Sequence, residues 1–271
     1  MAWTDMTDLT GLVAWYKPET LAATYADTDP ISTWADSSGN SRDLTGTTTT
    51  RPLAAASSIN GYMAADFDGT DDVLSSASYS HSGQVVISAV FNVDVLKNYN
   101  AIAVIDDVSS PVWAPGVISN VIYNDGDFLG GIDDSGHKYG VYNTVISATT
   151  NYVATYANNS AIGPVLSVNG RRKLDVAAGV GTTPSVTAYI FMGFAGLAGS
   201  YMNGKIAEVV VYTVTDDSEI PWVEGYLADK YAITLADGHL FKNAAPENAP
   251  TTYNAAGGAT LASDARIERL K

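Results

Sequence analysis

Between Gly11 and Tyr212 the chain is cut into short runs of β-branched and aromatic residues by clusters of Gly, Asn, Asp and Ser, and this punctuation constrains the fold most. Runs that brief exclude long helices, and their spacing suits about a dozen antiparallel strands. The clearest is Gln84 to Asp94: Val85, Ile87, Ala89, Phe91 and Val93 fall on one face, Val86, Ser88, Val90, Asn92 and Asp94 on the other. A strand with one wholly apolar face lines the core of a sandwich. The pair Asn169-Gly170 supplies two residues that tolerate positive φ, closing a two-residue hairpin between Pro164 to Val168 and Arg171 to Val176.

Composition fits this reading. Hydrophobic residues make up 46% and charged residues 16%, so a core is affordable and the surface is built from Thr, Ser, Asn, Gly and Tyr. No internal repeat and no Pro or Gly cluster divides the chain before Leu235, which gives one domain over 1–235. A single helix is expected where Asp216, Asp217 and Ser218 can cap a first turn, continuing through EIPWVEGYLADKY. Ile220, Val223, Leu227 and Tyr231 share one stripe of it and should lie against the sandwich. Residues 236–271, rich in Ala, Pro, Asn and Gly, read as an extended tail.

There are 29 acidic residues against 14 Lys and Arg, a formal charge of −15. Such a surface repels phosphate backbones and anionic lipid, so neither nucleic acid nor membrane insertion is expected. With no cysteine there are no disulfides, thiolate metal sites or Cys nucleophiles. The opening MAWTDMTDLTG has no basic region leading into an apolar run, and Val186 to Gly199 is too short and glycine-rich to span a bilayer.

Three stretches resemble the laminin-G-like jelly rolls of the concanavalin A-like, pentraxin-type lectin and glucanase group. GLVAWYKPETL with Trp34 to Asn40 and Phe67 to Leu74 is similar to that family's opening strands and turns. YVATYANNSAIGPVLSVNGRRK resembles its strand pair ending in an Asn-Gly hairpin. Gly204 to Tyr212, then a helix ending in YLADKYAITL, resembles the closing pattern of phage and bacterial members. The resemblance implies an all-β, two-sheet antiparallel jelly-roll sandwich with one short C-terminal helix and an extended C-terminal tail. It also implies that Asp36, Asp68, Asp71 and Asp72 lie near one another and hold a structural calcium ion. The alternative is that these carboxylates cap their own turns.

Residues 95–150 match the family least. They carry Trp113, Tyr123, Asn124, Asp125, Asp127, Tyr139 and Tyr142. Flat rings stack on the C–H faces of sugars while Asp and Asn bond hydroxyls, so this set is the expected glycan-binding surface. The competing account makes many of these rings ordinary core residues. No catalytic residue is expected: the glutamates never occur at the spacing of two that a glucanase strand needs, and His81, His137 and His239 form no recognisable motif.

A lectin-like sandwich made in a cytoplasm suits a bacteriophage virion, either as a capsid decoration or as a tail-associated adhesion module. Its partners would be host surface glycan, other virion proteins through the tail, and further copies of itself in a homo-oligomer or larger assembly. The alternatives are a purely architectural subunit, a polysaccharide-active enzyme, or a secreted or cell-surface bacterial protein.

Overall fold

A computed structural model describes residues 6–9, 11–82, 84–97, 99–106, 117–122, 126–133, 138–142, 145–159, 163–174, 186–194, 200–213, 219–242, 253–254 and 258–259. Two antiparallel sheets pack face to face. One runs in the order β15 (Arg171–Leu174), β14 (Gly163–Val168), β13 (Tyr152–Asn159), β8 (Val85–Val93), β17 (Asn203–Thr213), β5 (Tyr62–Asp68), β4 (Leu53–Ile59), with β1 (Leu12–Tyr16) also on β17. The other runs β12 (Lys138–Tyr142), β11 (Phe128–Asp133), β10 (Val117–Ile122), β9 (Asn100–Asp106), β16 (Val186–Met192), β6 (Leu74–Ser76), β3 (Leu44–Thr45), β2 (Thr33–Trp34), with β7 (Tyr79–His81) on β16. The all-β sandwich expected from the sequence is therefore the fold. The short strands β2, β3, β6 and β7 exceed the dozen expected because two or three residues carry too little alternation to read.

The inter-sheet core holds Trp34, Phe67, Ile87, Phe91, Ile102, Ile105, Tyr156, Ile190 and Val209, all essentially without solvent exposure. Strand β8 supplies the five residues expected of its apolar face. Its other face is buried too: Val86 and Val90 join a second apolar cluster, and Ser88 bonds Thr155 at 2.9 Å, oxygen to oxygen.

That second cluster exists because helix α2 (Ile220–Lys230) lies across the outer face of the eight-stranded sheet. Ile220, Val223, Leu227 and Tyr231 are buried as their stripe predicts. Trp222, Glu224 and Ala228 are buried as well. They are covered from the far side by residues 235–242, where Phe241 meets Trp222 with ring centroids 4.9 Å apart. This strap is the beginning of the segment that reads as a tail. The capping residues 216–218 lie outside the described residues.

A bulge in β17 corrects one detail of the sequence pattern. Simple alternation puts Ile206, Glu208 and Val210 on one face, but the register slips between Ile206 and Glu208. Ile206 and Val209 consequently both face the inter-sheet core, while Ala207, Val210 and Tyr212 face α2. Glu208 is delivered beneath the helix, fully buried.

Its partners there are complete for a carboxylate. Oε1 accepts from the Trp15 indole at 2.7 Å, and Oε2 from Lys230 at 2.7 Å and the Tyr231 hydroxyl at 2.9 Å. Burial pushes Glu208 upward in pKa, and the ammonium and hydrogen bonds only partly offset it. Lys230 also reaches Glu19 of the short helix α1 (Pro18–Ala22) at 2.9 Å and sits 5.3 to 5.7 Å from the rings of Tyr62, Tyr231 and Tyr226. These groups fasten α2, β1 and β17 together.

Candidate functional site

Strand directions bring several loops to one end of the sandwich. β8 ends at Val93 opposite Gly204, near the start of β17, and Asn203 faces Asp68 at the end of β5. In the other sheet β9 starts at Asn100 opposite Ile122, the last residue of β10, and Phe128 opens β11 opposite both Ile122 and Tyr142. The sheets are tied there by the Asn203 amide, which donates to Asn100 Oδ1 at 2.9 Å.

Among the described residues, the turn after β5 gathers three carboxylates at this end. One carboxylate oxygen from each of Asp68, Asp71 and Asp72 falls within 4.8 Å of the others. Oxygen donors so placed suit a hard cation. Two are nevertheless engaged in the turn itself: Asp72 Oδ2 accepts from the Asp68 amide at 2.8 Å, and Asp68 Oδ1 from the Thr70 amide at 2.7 Å. Asp72 is nearly buried, and desolvation, with the neighbouring carboxylates adding, raises its pKa to about 6 despite the Asp68 hydrogen bond. Lys97 donates to the Gly69 carbonyl, placing an ammonium beside the same turn.

Asp36 does not join this group. It stands beside Tyr16 in an isolated bridge, and its carboxylate accepts from the amides of Trp15, Ser38 and Arg42 at 2.9 to 3.0 Å and from the Ser38 hydroxyl at 2.7 Å. That is the turn-capping alternative in full. The family-based grouping brings together three of its four carboxylates.

Of the expected glycan surface, Asp127 and Tyr142 are placed at the same end of the sandwich as the acidic turn. Both are half-buried, and Tyr142 packs its ring on the inter-sheet core. The Gly126 carbonyl accepts from the amides of Val145 and Ile146 at 3.0 and 2.9 Å, which pins the start of β11 to the segment after β12. Trp113, Tyr123, Asn124 and Asp125 lie outside the described residues. Tyr139 is paired with Gly131 through the backbone of β12, and its side chain is likewise outside.

Sequence reading passed over Phe194 and Tyr201. Their rings stack at 4.5 Å with 18° between planes, across the connection from β16 to β17 at this same end. The signal for them was an aromatic on each flank of a glycine-rich stretch, which only a bridge between the flanks turns into a pair.

No family model matches the chain, and no curated protein does. Solved structures do share its fold. Domain 4 of AbnA, a GH43 extracellular arabinanase from Geobacillus stearothermophilus solved in complex with arabinotriose, matches with a TM-score of 0.53 and 17% identity, over 75% of this chain and 92% of that one. A botulinum neurotoxin type C chain, described as depending on two ganglioside molecules to get into cells, matches at 0.54 and 12% identity over 82% of this chain. A Trypanosoma rangeli sialidase matches at 0.48 and 10% over 75% of this chain. The chain spans 52% of the toxin chain and 30% of the sialidase. Likeness at these identities is one of fold alone, the β-sandwich of the arabinanase domain and the toxin chain.

Proposed function

We propose that this chain is a non-catalytic carbohydrate-binding module displayed on a virion, as a capsid decoration or a tail-associated adhesin. The observation that supports binding is the gathering at one end of the sandwich of Asp127, Tyr142 and the acidic turn, on a fold similar to an arabinanase domain solved with a sugar. Trp113, Tyr123, Asn124, Asp125 and Tyr139 are proposed to extend that surface. The non-catalytic part draws on Glu208 and Glu224, which are fully buried and engaged by Lys230 and His239 instead of facing a groove.

The virion setting is drawn from the closing strand and helix, which resemble those of phage members of the laminin-G-like family. The segment from Ala236 onward is proposed to continue from its strap on the sandwich to a neighbouring subunit.

A glycan array probed with the whole chain tests binding. Alanine at Trp113, Tyr123 and Tyr142 together should abolish any signal, and an unchanged signal removes that surface from the proposal. Antibody labelling of purified phage particles under the electron microscope tests the setting, with unlabelled particles counting against it.

A further inference from the structure

Phe194 and Tyr201 are both half-buried, yet neither belongs to, or packs upon, the apolar clusters that form the described core. A stacked pair of large rings ordinarily completes a core. This one stands among loops, and the Tyr201 hydroxyl has no hydrogen-bond partner among the described residues.

Its surroundings are polar. Met202 is fully buried, whereas Tyr201 and Asn203 on either side of it are half-buried. The Asn203 side-chain amide donates to the Asp68 carbonyl at 2.9 Å. On the other flank Gly193, at φ +86°, sits where a Cβ would come within 2.4 Å of the Phe67 ring and 2.9 Å of the Asp72 carbonyl. The residue ahead of Phe194 is thus pressed against the turn whose exposed members are Asp68 and Asp71. Both lysines nearby are engaged: Lys97 with the Gly69 carbonyl, Lys205 with Asp94 at 2.7 Å and Asp66 at 3.4 Å.

We propose that this patch is a subsite for an uncharged saccharide, whose C–H face lies on the outward face of the stacked Phe194–Tyr201 pair while its hydroxyls donate to the Asp68 and Asp71 carboxylates. An anionic sugar would meet carboxylates that outnumber the one ammonium beside the turn, that of Lys97, since Lys205 is paired with Asp94 and Asp66. The assignment rests on the carbohydrate-binding reading and narrows it to a ligand class and a place.

The test is an array of neutral and sialylated oligosaccharides, followed by calorimetric titration of the whole chain with the strongest hit. Neutral glycans should bind and sialic acid should not be required. Phe194→Ala and Tyr201→Ala should each weaken binding about tenfold, while Tyr201→Phe, which keeps the ring, stays within about threefold. Should the alanine variants lose their melting transition, Asp71→Asn on the exposed turn decides, with about tenfold weakening expected. A neutral hit with unaffected variants, or hits confined to sialylated glycans, overturns the subsite and leaves the binding reading standing. A wild-type chain that binds nothing overturns both.

Discussion

Glu208 shows how much a single residue depends on its neighbours. It is fully buried with an indole, an ammonium and a hydroxyl around it. Removing one member of such a group is costly because an unpaired charge is left in a dry environment. Lys230→Met should therefore lower the unfolding free energy by about 3–5 kcal/mol in urea titration, and adding Glu208→Gln to it should restore part of the loss. From the sequence Glu208 read as one polar residue in an apolar strand, since a bulge depends on the partner strand and leaves no mark on local spacing. The acidic turn offers a second check at this scale. With Asp68 and Asp72 bound to backbone amides and Lys97 alongside, chelation of divalent ions should leave the melting temperature unchanged. A lower melting temperature would put calcium on the turn.

Among elements, the strap over α2 was the least legible. Strand β8, the Asn169-Gly170 hairpin and the helical stripe were readable because each is a dense local pattern; Asn169 and Gly170 take φ of 49° and 74°, as a two-residue hairpin requires. The strap has no period. Leu235, His239 and Phe241 dock singly, with the Ala236 amide donating to the Asn169 carbonyl at 2.8 Å. His239 accepts the Phe241 amide at Nδ1 (3.2 Å), so its Nε2 carries the hydrogen that reaches Glu224 at 3.0 Å. Burial alone would raise the Glu224 pKa, but the His239 hydrogen bond and the nearby Arg172 charge pull it the other way, leaving the pKa lowered. A carboxyl held lower in the folded chain than in the unfolded one adds stability above its unfolded value of 4.5, and that stability is lost as pH falls below it. Glu224→Gln should thus flatten the stability profile on the acid side, as followed by melting temperature from pH 6 down to about 3. Phe241→Ala should cost about 3 kcal/mol and raise hydrogen exchange in α2 ahead of the sheets.

At the scale of the molecule, the formal charge of −15 is a net self-repulsion that counterions reduce. Raising sodium chloride from low to physiological strength should increase the melting temperature by a few degrees, while binding of an uncharged sugar should hardly change. The overall architecture was legible because alternation and turns recur along the whole strand-rich stretch. The ligand-facing end was legible only in part, since loops obey no period and which loops share an end follows from strand order.

The pairing of Leu12 with Tyr212 puts the first strand beside the last residues of β17, at the pole opposite Asn203 and the acidic turn. A tether attached ahead of Leu12 would grip the molecule by that pole and hold the loop-bearing pole outermost. Tension along such a tether would load β1 and β17 in shear, the direction in which a ladder of backbone bonds yields together instead of one by one.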